Sequence, residues 1–145
     1  MLRLQLLGSL GIALAVPLAQ FANASSSVTE ATTSAAAEEV SFNKKVVPIL
    51  KRRCAVCHIT GNEPGNMALT PNSAYDSLVN QRSVQSNLLR VNPGAPSESY
   101  IVHKLQGSQA EAGGIGDRMP YMAPPLSSKQ LQLIETWISQ GAQNN

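Results

Sequence analysis

Cys54-Ala55-Val56-Cys57-His58 places two thiols about one helical turn apart and an imidazole directly after the second. This C-x-x-C-H spacing is the attachment pattern of c-type haem. Each thiol can add to one vinyl group on the same porphyrin edge, and the two thioethers then fix the macrocycle beside the chain. The adjacent His58 is carried under the iron as proximal ligand, a role that suits a neutral imidazole nitrogen. Two other chemistries use a cysteine pair. A thioredoxin-like redox site needs a βαβ setting, which the flanking residues do not predict. A zinc site needs more donors, yet the chain holds two Cys and two His in all, His103 being the other histidine. The residues point to one covalent haem c.

A sixth iron ligand is then expected, and methionine sulfur is the common partner of histidine in such sites. Met67 lies in the loop just after His58, close enough to pack on the haem but too close in sequence to reach its opposite face. Met119 and Met122 are both in Gly114-Ile115-Gly116-Asp117-Arg118-Met119-Pro120-Tyr121-Met122-Ala123-Pro124-Pro125. This loop is far along the chain, and its prolines can stiffen it. Either methionine can serve.

The elements that must position these groups are helical. Ser41 can cap a helix carrying Phe42, Val46, Ile49 and Leu50, read as 42–56 with an imperfection at Pro48. Residues 60–72 are rich in Gly, Pro and Asn and read as loop. A short helix follows over 74–79, and Val91-Asn92-Pro93-Gly94 is a turn signal. Ser97 is the expected cap of a helix with Tyr100, Ile101, Val102 and Leu105, after which Gly107 to Asp117 reads as loose. The last helix has the clearest start: Ser127 with Gln130 makes a capping box, and Leu126 with Leu131 occupies the two staple positions. Leu131, Ile134, Trp137 and Ile138 form its buried stripe, and Gly141 is the stop. No strand pattern of similar quality occurs, so the fold class is all-α, with short helices and long loops.

The chain has 145 residues and a formal net charge of +2, with eleven Lys+Arg against nine Asp+Glu. That balance gives no basic patch of the kind nucleic acid requires. Residues 1–24 read as a secretory signal: Arg3, then an apolar run from Leu4 to Leu18, then Ala22-Asn23-Ala24 as the cleavage site. Cleavage leaves no membrane span and delivers the protein to the periplasm, where c-type haem attachment in bacteria takes place outside the cytoplasm. The alternative is an uncleaved N-terminal anchor. Residues 25–40 are rich in Ser, Thr, Ala and Glu and read as a disordered tether. Residues 41–145 form the one domain. It is small for a large polypeptide core, and a bound cofactor is one remedy for that.

At these residues the chain resembles a class I cytochrome c domain, close to the single-haem cytochromes c of exported bacterial proteins, including the planctomycete type. Phe42…Val46…Pro48-Ile49-Leu50…Cys54…Cys57-His58 resembles the opening of that family. Pro93-Gly94…Ser97…Ser99-Tyr100-Ile101-Val102…Lys104-Leu105…Gly107 resembles its middle helix. Arg118-Met119-Pro120…Pro124-Pro125-Leu126-Ser127…Gln130…Ile134…Trp137-Ile138…Gly141-Ala142 resembles its end. The resemblance covers about Ser41 to Ala142 and implies the cytochrome c fold, packed around one covalently bound haem. In that family the methionine of the Met-Pro step binds iron, which carries over to Met119 and leaves Met122 as the alternative. It also implies that the first and last helices cross, with Phe42 and Val46 near Ile134 and Trp137. The insert Ala110-Glu111-Ala112-Gly113-Gly114 departs from the family pattern.

Other residues have weaker claims. His103 reads as a surface helix residue, with a bis-histidine haem as the alternative. Arg90, Arg118 and Tyr121 are candidates to hydrogen-bond the haem propionates. Pro64 can offer its carbonyl to the His58 ring N–H. Lys51, Arg52 and Arg53 form a basic cluster able to steer an acidic redox partner. The expected function is single-electron transfer to redox protein partners, with no substrate transformed, by a monomer or a subunit of a redox complex. The alternatives are the haem subunit or domain partner of a periplasmic dehydrogenase or oxidase, and a five-coordinate haem peroxidase or sensor. The last lacks a distal His–Arg pair near the methionine loop.

Overall fold

Residues 38–145 are described in the computed structural model; the expected signal, 1–24, and residues 25–37 of the expected tether lie outside them. Glu38 to Val40 are held against the other end of the chain. The Val40 N–H donates to Gln140 Oε1 at 2.8 Å, and Gln140 Nε2 donates to the Glu38 carbonyl at 3.2 Å.

The described residues are helical and contain no strand. Ser41 caps the first turn by accepting the Lys44 N–H at 3.3 Å. That turn, Phe42–Val46, is π-helical and runs into α1, Val47–Arg53. Pro48 explains the widening. It has no N–H to give Lys44, and its ring crowds that carbonyl, so the turn opens and the Val47 N–H reaches Phe42. The helix expected over 42–56 therefore has its imperfection where Pro48 puts it, but it ends at Arg53. There Cys54 and Ala55 both donate to the Leu50 carbonyl at 2.9 Å, and the regular ladder stops.

The next helices are short: α2, Ala74–Leu78, and α3, Tyr100–Gln106, with a 3₁₀ turn at Pro96–Glu98 between them. Ser97 does not cap α3. It lies exposed within the 3₁₀ turn, and Ser99 stands at the cap position instead. Fully buried Ser99 accepts the Asn92 N–H at 2.9 Å and donates to the Ala95 carbonyl at 2.9 Å, which fastens the Asn92–Ala95 turn to the helix. Gly107 at φ +87° ends α3 in the left-handed conformation. The segment after it is not loose: Glu111 and Ala112 donate to Ser108, and Gly114 donates to Gln109 at 2.8 Å, so consecutive tight turns satisfy the backbone. Between α2 and α3 the chain doubles back through isolated bridges, Val79 with Val91 and Arg82 with Leu89, and buries Val91 completely.

The last helix, α4, is Ser128–Ser139 and has the full capping box of Ser127 and Gln130. Its inner face supplies Ile134, Trp137 and Ile138, all buried; Leu131 is half-buried. Phe42 packs on Trp137 with ring centroids 4.8 Å apart and meets Tyr75 edge-on at 5.4 Å. The first turn and α4 thus share one core, with Val46, Leu50 and Leu78 around the aromatic cluster. Trp137 Nε1 donates to the Gln143 carbonyl at 2.9 Å, so its polar atom is satisfied. Among the described residues, no helix is long and apolar enough to cross a membrane.

Two changes of very different size test this arrangement by urea unfolding of the purified protein. Phe42→Ala should lower stability by about 3–5 kcal/mol, because it opens a cavity against Trp137. Ser127→Ala should lower it by about 1 kcal/mol through loss of one cap bond.

Candidate functional site

The end of α1 delivers the cysteine motif. Cys57 and His58 both donate their N–H to the Cys54 carbonyl, at 3.1 and 3.0 Å, which closes the motif into one tight turn. The turn leaves Cys54 half-buried and Cys57 exposed, with both thiols free, while His58 is buried. The His58 carbonyl accepts the Leu69 N–H at 2.8 Å, fixing the start and end of the 58–69 loop together.

The motif borders a cavity of about 530 Å³, a size usual for small-molecule and cofactor sites. Cys54, Cys57 and His58 line it on one part of its wall. Met119, Pro120 and Tyr121 line another, and the apolar filling comes from Leu50, Leu69, Leu78, Leu105, Leu126 and Ile134. The fold therefore gathers at one space the thiols, the imidazole and one of the two candidate thioethers. Met67 also lines the cavity, as its place beside His58 suggested. Met122 does not; it is 90% exposed.

The weaker candidates divide. Arg90 lines the cavity, but its guanidinium is engaged with backbone, donating to Ser77, Gly65 and Asn66 carbonyls at 2.8 to 2.9 Å. Its task in this structure is to brace the loop under Met67. Arg118 is not part of the cavity wall and donates to the Ala123 carbonyl at 3.3 Å. Tyr121 borders the cavity and is largely exposed. Pro64 lines the cavity without receiving a bond from His58, whose Nδ1 is buried with no partner. His103 is half-buried and lies away from the cavity wall. Its ring nitrogens are engaged by Ser108 Oγ and the Ser97 carbonyl, each at 2.9 Å. Of the basic cluster, Arg52 and Arg53 reach the cavity rim. Arg53 donates to the Pro124 carbonyl, which ties the end of α1 to the segment before α4.

Lys104 is the group that motif reasoning missed. It is 7% exposed, lines the cavity, and donates to the Ile115 carbonyl at 3.3 Å. The available signal was its spacing: Tyr100 and Lys104 are one helical turn apart on α3 and both line the cavity.

Burial sets the protonation states. It pushes the Cys54 thiol up to about 11, against the opposing pull of Arg53. Cys54 is therefore a neutral thiol at pH 7, unlike the low-pKa thiolate of an active redox pair. Burial also lowers the His58 pKa, opposed by Glu63 and assisted by Lys104, so the ring is neutral with a lone pair available. Glu63 is a carboxylate held down to about 2, chiefly by the Thr60 N–H. It accepts from Thr60 at 3.0 Å and from Gly61 at 2.9 Å, folding the loop that follows His58. Chemically the site offers two thiols for covalent bonding to an apolar group, and nitrogen and sulfur donors for a metal within that group. Among the described residues, no cluster of three or more His, Cys, Asp or Glu forms a metal site by itself.

Comparison with known proteins yields one distant likeness. The chain is 31% identical over 123 residues to hydrazine synthase subunit alpha of Kuenenia stuttgartiensis. The likeness takes in 72% of this chain and 15% of that protein, so it concerns one stretch of a much longer subunit. No family model matches the chain, and no solved structure resembles it significantly.

The Glu63 turn gives a pH signature. Its carboxylate pKa falls from 4.5 to about 2 on folding, so its contribution is complete above pH 4.5 and disappears as the pH falls through about 2. Thermal melts of wild type and Glu63→Gln should differ most above pH 4.5 and converge towards pH 2; a gap independent of pH would rule out the ionised turn.

Proposed function

We propose that Cys54 and Cys57 hold one haem c through thioether bonds, that His58 and Met119 are its iron ligands, and that the protein is an exported single-electron carrier of the cytochrome c class rather than an enzyme. The observation that carries this reading is the apolar cavity at which all four side chains meet, although Met119 comes from the other half of the chain. The fit is chemical as well as spatial. His58 is a neutral imidazole on the cavity wall, and the wall beyond the donors is mostly apolar.

Bound there, the haem supplies reversible one-electron chemistry. The chain's own residues decide how that chemistry is expressed. His58 and Met119 would hold the iron, and a thioether ligand would favour the reduced state, raising the potential. Leu50, Leu69, Leu105 and Ile134 exclude water, which favours a small change in solvation between the two charge states. Val56 and Cys57 are exposed beside the cavity, so one edge of the site stays accessible to a partner. Export through residues 1–24 supplies the compartment, and Arg52 and Arg53 at the rim suit an acidic redox partner.

A second reading has a specific support. The likeness to part of a hydrazine synthase subunit favours a domain working inside a larger redox enzyme, passing electrons to or from a neighbouring subunit. Size-exclusion chromatography of the native periplasmic fraction separates the two: a free carrier elutes alone, and a subunit elutes with its complex.

The exported protein should begin at Ser25 and carry one haem in its intact mass. Cys54→Ala and Cys57→Ala should each lose that haem or retain it through a single thioether. A folded but colourless secreted protein would end this reading. Met119→Ala should remain haem-loaded with a lowered potential and rapid carbon monoxide binding when reduced. Met122→Ala should leave both unchanged; the reverse pattern would move the ligand to Met122.

A further inference from the structure

Tyr100 and Lys104 of α3 converge on one atom. The Tyr100 hydroxyl donates to the Ile115 carbonyl at 3.1 Å, and Lys104 Nζ donates to the same oxygen at 3.3 Å. Both side chains are buried. A third bond joins the same two segments: the Met119 N–H donates to the Lys104 carbonyl at 2.7 Å. The approach is close throughout. A Cβ added at Gly114 would overlap the Tyr100 ring, and one added at Gly116 would lie 3.3 Å from Lys104 Nζ.

The bonds bracket a short span. Ile115 is gripped by two side chains and Met119 by the backbone of the same helix, with Gly116, Asp117 and Arg118 between them. Lys104 is a costly choice for this task, since a buried ammonium facing a neutral carbonyl recovers only part of its lost hydration. Burial lowers the Lys104 pKa, and Asp117, on the bracketed span itself, opposes that shift. Lys104, Asp117 and Met119 all border the cavity.

We infer that Tyr100 and Lys104 are positioning residues for Met119: their shared hold on the Ile115 carbonyl fixes the span 115–119 and so the place at which the Met119 thioether meets the cavity. The inference rests on the reading of Met119 as an iron ligand. A metal–ligand distance tolerates only about ±0.2 Å. Without that hold, α3 keeps Met119 by its N–H alone. The other ties of the span, Gln109 Nε2 to the Gly116 carbonyl at 2.8 Å and the Ile115 N–H to the Gln85 carbonyl at 3.3 Å, come from outside the helix. The Met119 sulfur then leaves that tolerance more readily.

The experiment compares exported, haem-loaded wild type with Tyr100→Phe, Lys104→Met and Lys104→Arg. Tyr100→Phe and Lys104→Met should keep both thioether links by mass. They should weaken the ferric sulfur–iron charge-transfer band, lower the potential, and speed exchange of the Met119 amide roughly tenfold. Lys104→Arg should restore the band. Because either donor alone still pairs the Ile115 carbonyl and only the double variant removes both, the double variant should lose more than the sum of the single losses. A reduced melting temperature with an unchanged band and potential overturns the inference, since α3 packing alone gives that result. Should Lys104→Met not fold, Tyr100→Phe, which removes a single oxygen, decides the matter. Wild type lacking covalent haem overturns the underlying reading; loaded wild type with unmoved variants overturns the positioning role alone.

Discussion

The contact between Phe42 and Trp137 organises the rest. It joins the first helical turn to the last helix, elements from opposite ends of the chain. The cysteine motif leaves the C-terminal end of α1, and the Met119 loop leads into the N-terminal end of α4. Crossing those two helices therefore brings the motif and the loop to a common space, and Arg53 bonding to Pro124 secures the approach beside that space. Among the described residues no helix is long enough to be stable alone, since isolated helices under about 12–15 residues are marginal in water. Their order comes from the shared core, so the site and the fold have the same cause.

The centre of the molecule combines an aliphatic wall with a few polar atoms that are badly served by the protein itself. His58 Nδ1 has no partner, and Lys104 has one neutral acceptor at 3.3 Å. Buried polar groups ordinarily find partners, because leaving one unpaired costs about 1–3 kcal/mol. A domain of this size has little stability to spare. Lys104 nevertheless uses its position on α3 to tie that helix to the loop before Met119 through the Ile115 carbonyl.

Much of the scaffold was legible in the sequence because its signals are local. The Ser127–Gln130 capping box, the stripe of Ile134, Trp137 and Ile138, and the Pro48 defect each depend on residues within one or two turns. The cysteine motif was legible for the same reason. What escaped depends on distant segments. Arg90 looked like a carboxylate binder, but its donors are taken by carbonyls of α2 and of the loop after His58, whose meeting no periodicity encodes. Ser97 looked like a cap, yet Pro96 draws it into a 3₁₀ turn and Ser99 takes the cap position. Lys104 stood in the block resembling the middle helix but was given no role at the site. Its burial follows from the tertiary position of α3, and a lysine on a helix is ordinarily read as solvent-facing.

The ends of the described unit also meet. Asn145 accepts the Phe42 N–H on its side-chain oxygen at 2.7 Å, and its backbone carbonyl accepts the Asn43 N–H at 2.9 Å. The C-terminal tail thus completes the capping of the first turn that Ser41 begins. A unit whose ends are adjacent and whose core is its own can sit in line within a longer chain without strain, because flanking segments enter and leave at one point. That geometry gives physical sense to a likeness covering 15% of a long enzyme subunit. The same packing suits a separate domain and one module among others, and the choice between these is made by its surface and neighbours rather than by its core.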